Sequence, residues 1–334
     1  MKRILLVVAM TTLTFNLMLN GVTSARTYKI GMVPWAGWSP NNVADVKGFW
    51  KSQGIDVEVI SYANPDETYK ALINQRIDMA NLMMGSVVGF YMKDVPCSII
   101  AEVDWSTGGD KLVVKKGLDP KTLKGQPFGV YTSEPSILFF LNQYLAAHNV
   151  KLSDVKLVEM DVEDLAVNFI AGRLQAISNY DPYALRAEQE GNGEVAATAG
   201  SYPGCMPEGY AARTDVLKTI PRDDLVKILK GWIEAVKWIN DQANWEEYKQ
   251  ILSSKTYEGQ GPYSDQELKD MFNTYASIHD VKTLVERNRS GGGLLTFLKE
   301  LRTMLQENNL LKKDFTPEDL FDNSAIMEAL QSAK

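Results

Sequence analysis

Ile55–Leu82 reads IDVEVISYANPDETYKALINQRIDMANL, and its pattern returns at Ser153–Tyr180 as SDVKLVEMDVEDLAVNFIAGRLQAISNY. Each copy has an apolar run of strand length, an acidic helix start, an amphipathic segment, an arginine and a second apolar run. Arg76 answers to Arg173 and Glu67 to Asp164, after a one-residue difference in length. A strand, a helix and a second strand in succession make a parallel pair with a helical crossover. The interval is too long for a solenoid. The repetition therefore predicts two α/β lobes on one plan, against the competing reading of two ordinary βαβ units that converged.

Working outward, Tyr28–Pro40 (YKIGMVPWAGWSP) starts as a strand and breaks at Pro34 into a loop carrying Trp35 and Trp38. Pro40 and Asn41 open a helix that ends between Gly48 and Gly54. In the first run, strands are expected over 55–60, 78–83 and 97–103, with helices over 65–75 and 85–92. In the second, strands are expected over 128–131, 155–160 and 174–178, with helices over 135–147 and 162–171. Asp181 opens another helix. Beyond Pro221 the chain reads as almost wholly helical. Leu225, Ile228, Leu229, Trp232, Ile233, Val236 and Ile239 form one apolar face. Further helices are expected over 245–252, 265–276 and 294–307. Gly291–Gly293 lack the Lys-Ser/Thr of a phosphate loop and read as a turn.

Residues 1–25 have the pattern of a cleaved export signal: Lys2 and Arg3, an apolar stretch from Ile4, and small residues at Thr23–Ala25. Polar interruptions argue against a retained anchor. The net charge of −7 becomes more negative when Lys2 and Arg3 are removed, which disfavours a nucleic-acid partner. Cys97 and Cys205 are the only cysteines. Export permits a bridge between them, but two free thiols are expected, because one starts a strand and the other lies near a lobe crossing.

His148 and His279 are the only histidines, and no Cys-x-x-Cys or His-Glu-x-x-His occurs. Neither a metal site nor a Ser-His-Asp site is expected, and no cofactor. His148 reads as a helix-end cap. Five loops after expected strands carry more weight: Pro34–Pro40, Met84–Ser86, Asp104–Asp110, Thr132–Pro135 and Asn179–Tyr183. Plain capping and turn chemistry explains any one of them. Five together, in both runs, predict one cleft between the lobes. The candidate ligand-binding residues are Trp35, Trp38, Ser86, Asp104, Trp105, Ser133, Glu134, Asn179, Tyr180 and Asp181. Trp35, Trp38 and Trp105 would supply aromatic walls, Ser86 a polar end, and Ser133, Glu134, Asn179, Tyr180 and Asp181 closure from the second lobe.

The ordered set VPWAGWSP, KGFWKSQGIDVEVI, DWSTGGDKLVVKK, LKGQPFGVYTSEPS, LAVNFIAGRLQA and NYDPY resembles substrate-binding components of ABC importers of the nitrate/sulfonate/taurine class, a group with thiamin-pyrimidine binders among it. The resemblance covers about residues 28–215. It implies a type II periplasmic-binding-protein fold: two α/β lobes joined by a two-crossing hinge, with a helical C-terminal part. Crossings are expected near 112–118 and 205–216. Lobe one would be 26–116 plus 213–334, and lobe two 117–212. It further implies a periplasmic, non-enzymatic and monomeric receptor that hands a small molecule to an ABC permease in the inner membrane.

Oxyanion binders would want basic groups in the cleft. These loops instead hold Asp104, Glu134 and Asp181, with no Lys or Arg. Acids beside aromatics suit an amine-bearing or cationic ring, whereas helix capping by the same acids leaves a sulfonate or nitrate open. The alternatives are a synthase on the same fold, whose His and Cys-rich motif are missing here, and the ligand-sensing partner of a membrane receptor.

Overall fold

The computed structural model describes residues 26–132 and 134–332. The expected export signal over 1–25 and the candidate residue Ser133 lie outside the described residues.

The first run comprises β1 (Thr27–Met32), α1 (Pro40–Val46), α2 (Phe49–Ser52), β2 (Asp56–Ser61), α3 (Pro65–Ile73), β3 (Met79–Met83), α4 (Met84–Met92) and β4 (Cys97–Ser106). The second comprises β5 (Asp110–Lys115), β6 (Pro127–Val130), α5 (Pro135–Ala147), β7 (Lys156–Glu159), α6 (Val162–Ile170), β8 (Ala176–Tyr180), α7 (Tyr183–Glu190) and β9 (Gly193–Thr198). β10 (Pro207–Arg213) leads through α8 (Thr214–Leu217) into α9 (Arg222–Ile239), α10 (Trp245–Ile251) and α11 (Asp265–Asp270). After β11 (Ala276–Ile278) come α12 (Val281–Asn288), α13 (Gly293–Glu307) and α14 (Ser324–Gln331).

Two sheets result, ordered β11-β4-β10-β3-β1-β2 and β7-β6-β8-β5-β9. In the first, β1 pairs in parallel with β2 and β3. In the second, β6 pairs in parallel with β7 and β8. Each parallel trio is followed by an antiparallel strand, β10 or β5. The sequence echo is thus a repeat of topology. Local chemistry supports it: Asn64 accepts from Glu67 N at 3.0 Å, Pro65 starts α3, and acids occupy the first turns of α3 and α6.

The apolar face expected on α9 is buried against the first sheet, with Trp232 edge-on to Tyr210 at 5.4 Å. Each such side chain contributes roughly 1.5–3 kcal/mol of burial. On the other face, α5 of the second lobe meets α13 through Phe139 and Phe297, 5.3 Å apart. Cys97 and Cys205 are free and buried, and burial pushes each thiol up to about 12.

Several expectations need correction. The chain changes sheet between Ser106 and Asp110 and again between Thr198 and Pro207, upstream of the expected crossings. β5 was assigned to lobe one and most of β10 to lobe two; each belongs to the other sheet. A strand's own sequence carries no mark of the partner it will pair with. Asp104–Ser106 and Asn179–Tyr180 are strand residues rather than loop. The helix expected over 265–276 is α-helical to Asp270 and π-helical over Met271–Tyr275, and only Ala276 departs, as the first residue of β11.

Candidate ligand-binding cleft

Glu208 on β10 pairs with Asp104 on β4 and with Met83 on β3. Asp104 is fully buried and Glu208 is 5% exposed. The Trp35 indole, delivered by the break after β1, donates from Nε1 to Asp104 Oδ2 at 3.3 Å. A Cβ on Gly109 would lie 2.4 Å from Trp35 Cη2, so the indole reaches the first crossing only because residue 109 has no side chain. Beneath the pair, Asn41 Nδ2 donates to Asn81 Oδ1 at 2.6 Å, and the Tyr210 hydroxyl donates to Asn41 Oδ1.

Burial raises the Asp104 carboxyl to about 6 against a hydrogen bond from Glu208, and burial beside Asp104 lifts Glu208 well above the carboxylate range. Each buried acid disfavours ionisation of the other, which adds to the desolvation that raises Glu208. Among the described residues, Asp104 Oδ1 and Glu208 Oε2 have no hydrogen-bond partner.

The second lobe faces this group with Asp110, Tyr131 and Tyr180. Asp110 accepts from Ser106 Oγ and from the Tyr131 hydroxyl, both at 2.7 Å. Burial raises its carboxyl too. Tyr131 and Tyr180 meet edge to face at 5.1 Å. Asp181 pairs with Lys111, whose ammonium also lies 5.2 Å over the Tyr275 ring. Ser86 opens α4 and is bonded to the Tyr69 hydroxyl at 3.0 Å. Glu134 precedes α5 and lies against α4, with its Oε1 3.9 Å from Lys93 Nζ. Burial raises its pKa, opposed by the Ser86 hydroxyl and by Lys93.

The structure thus brings together Trp35, Asp104, Ser86, Glu134, Tyr180 and Asp181. It turns Trp105 away. The pairing steps from Glu208–Asp104 to Gly209–Glu102, leaving Val103 as a bulge, so Glu102 and Asp104 face opposite sides. Trp105 follows Glu102: its Nε1 donates to Glu102 Oε1 at 2.6 Å, and its ring packs on His279 and Arg287. Asn179 spends its amide on Val162 O at 2.8 Å and on the Tyr180 amide at 3.0 Å, inside the second lobe. Trp38 is buried with an unpartnered indole N–H. Sequence reasoning missed Glu208, Tyr131, Asp110 and Tyr69 as site residues. Asp110 and Tyr131 lay within quoted segments, but nothing local marks Glu208. A surface depression of about 500 Å3, lined by Tyr91, Arg302 and Asp314, shares no residue with this cleft. Among the described residues no cluster suits a metal, and no helix is long and apolar enough to cross a membrane.

Residues 23–253 match the NMT1-like family. The chain belongs to that family. This NMT1-like protein is 25% identical over 264 residues to the bicarbonate-binding protein CmpA of Synechococcus elongatus, covering 70% of this chain and 58% of CmpA. It thus spans less than two thirds of that relative's length. The ligand-binding component of an ABC-type import system from Staphylococcus aureus superposes with TM-score 0.69 at 16% identity, over 91% of this chain and 99% of that one. The periplasmic nitrate-binding protein NrtA of Synechocystis gives 0.67 at 18% identity, over 93% and 90%. These likenesses establish the periplasmic-binding-protein fold expected from the sequence.

Proposed function

We propose that this protein is the exported solute-binding component of an ABC importer, acting as a periplasmic monomer that closes two lobes on a small molecule and presents it to a membrane permease. The fold and the binding-protein relatives support the receptor role, and the reading involves no covalent chemistry. The ligand bears an amine or another cationic group. The observation that carries this is the buried Asp104–Glu208 pair beside Trp35. A cation placed there favours the ionised form of both carboxyls, and the indole face adds attraction. The two lysines near the cleft offer little to an anion: Lys111 is paired with Asp181, and Lys93 is largely exposed beside Glu134. Trp35, Tyr131 and Tyr180 wall the ligand, Ser86 and Glu134 close one end, and Asp181 holds Lys111. Trp38, Trp105 and Asn179 act behind the site.

A small oxyanion is the second reading, favoured by the bicarbonate and nitrate relatives. Calorimetric titration with amines, aminopyrimidines, sulfonates, nitrate and bicarbonate separates the two. An amine should bind best, and Asp104→Asn should weaken it at least about tenfold, since a hydrogen bond to a charged group contributes roughly 1.5–3 kcal/mol. An oxyanion that binds best, with affinity untouched by Asp104→Asn, refutes the amine.

A further inference from the structure

We propose that Glu134 sets the charge selectivity of the cleft: its carboxylate lies along α4 beside the adjoining starts of α4 and α5, where a small oxyanion would otherwise be held. The inference rests on the cleft being the solute site.

The two helices come from different lobes and touch at their starts. A Cβ on Gly85, the second residue of α4, would lie 2.4 Å from Ser136 Oγ and 2.7 Å from Ser136 N, in the second residue of α5. Neither helix has a side-chain cap, and neither has an acid within its first turn. In α5 the return bond from Leu138 N to Glu134 O, at 3.1 Å, leaves the amides of Ser136 and Ile137 ahead of it. Two adjoining uncapped helix starts carry partial positive charge and amide donors, which is the chemistry of an anion site.

Independent observations place polar groups in the same space. Ser136 Oγ is fully buried without a partner, and Glu134, 9% exposed, has an unpartnered Oε2. The Glu134 carboxylate does not fold back on its own helix. It reaches α4, where a Cβ on Gly89 would stand 3.4 Å from Oε2. The Ser86 hydroxyl and the Lys93 ammonium both favour its charged form. An entering anion therefore meets a buried carboxylate already lying against α4. Removing that carboxylate leaves two serine hydroxyls, two helix starts and Lys93, a donor set for bicarbonate, nitrate or a sulfonate.

The test is calorimetry of wild type, Glu134→Ala and Glu134→Gln with sodium bicarbonate, nitrate and methanesulfonate at fixed ionic strength, with circular dichroism and melting as controls for folding. Wild type should bind these anions weakly. Glu134→Ala should bind at least one of them about tenfold more tightly or better, with Glu134→Gln between. If Glu134→Ala does not fold, the near-isosteric Glu134→Gln decides by the same gain. Folded variants that gain no anion affinity, or wild type binding anions as tightly as the variants, overturn the inference. A parallel amine titration of wild type and Asp104→Asn reports on the ligand reading separately, so either idea can fail while the other stands.

Discussion

Asp104 on β4 and Glu208 on β10 are partners across an antiparallel pair, and burial raises the pKa of both carboxyl groups. The two residues are far apart in sequence and come from strands on either side of the whole second lobe. Their pairing places an acidic site directly beside both crossings.

The pair predicts a pH dependence of the ligand-free protein. Raised carboxyl pKa values mean that the folded state holds protons the unfolded chain has released. That contribution is complete below about pH 4, the unfolded range. It is lost as pH rises through about 6 for Asp104 and higher for Glu208. Urea midpoints should therefore fall with rising pH in wild type relative to the double variant Asp104→Asn/Glu208→Gln. Parallel profiles for the two proteins would contradict the raised carboxyl pKa values.

Gly85 is the contact between the lobes at the helix starts. A methyl group there meets the Ser136 backbone nitrogen at 2.7 Å, which no side-chain rotation relieves. Gly85→Ala should hold the lobes apart. Small-angle scattering should show a larger radius of gyration than wild type, and ligand affinity should drop at least about tenfold. Unchanged dimensions and affinity would mean that the contact gives way without cost.

Behind the site, Glu102 is fully buried and receives Arg287 Nε at 2.6 Å and Nη2 at 3.1 Å, with His279 Nε2 at 3.0 Å. Burial works to raise its pKa, but the His279 hydrogen bond and the Arg287 charge together outweigh that and keep it lowered. Arg287→Ala should cost about 3–5 kcal/mol, because it leaves the carboxylate buried without its main counter-charge. Chemical denaturation measures this; a loss under about 1 kcal/mol would show that His279 suffices.

Burial lifts both thiols to about 12, so neither should react at neutral pH in the native state. Titration with a thiol reagent should find no reactive group in the folded protein and two after denaturation without reductant. Finding none after denaturation would indicate a bridge.

Much of the secondary structure was legible because its signals are local. Alternation over Asp56–Ser61, the Asn64 cap, and the apolar face from Leu225 to Ile239 depend only on neighbours in the chain. Trp35 and Asp104 stood out as candidates because both sit near strand ends, and the structure puts them in contact. Trp105 faces away from Asp104 because β4 runs on to Ser106, and successive residues of a strand point to opposite faces.

The sequence by itself determined the βαβ plan of each lobe and the helical tail, since periodicity is a property of short segments. Only the tertiary structure decided that β5 and β10 enter the sheets opposite to their neighbours in sequence, that Glu208 reaches Asp104, and that Glu134 lies on α4. The reason is physical: those contacts form between segments that meet only after both lobes have assembled, and their free energy comes from long-range pairing and burial to which no local pattern contributes.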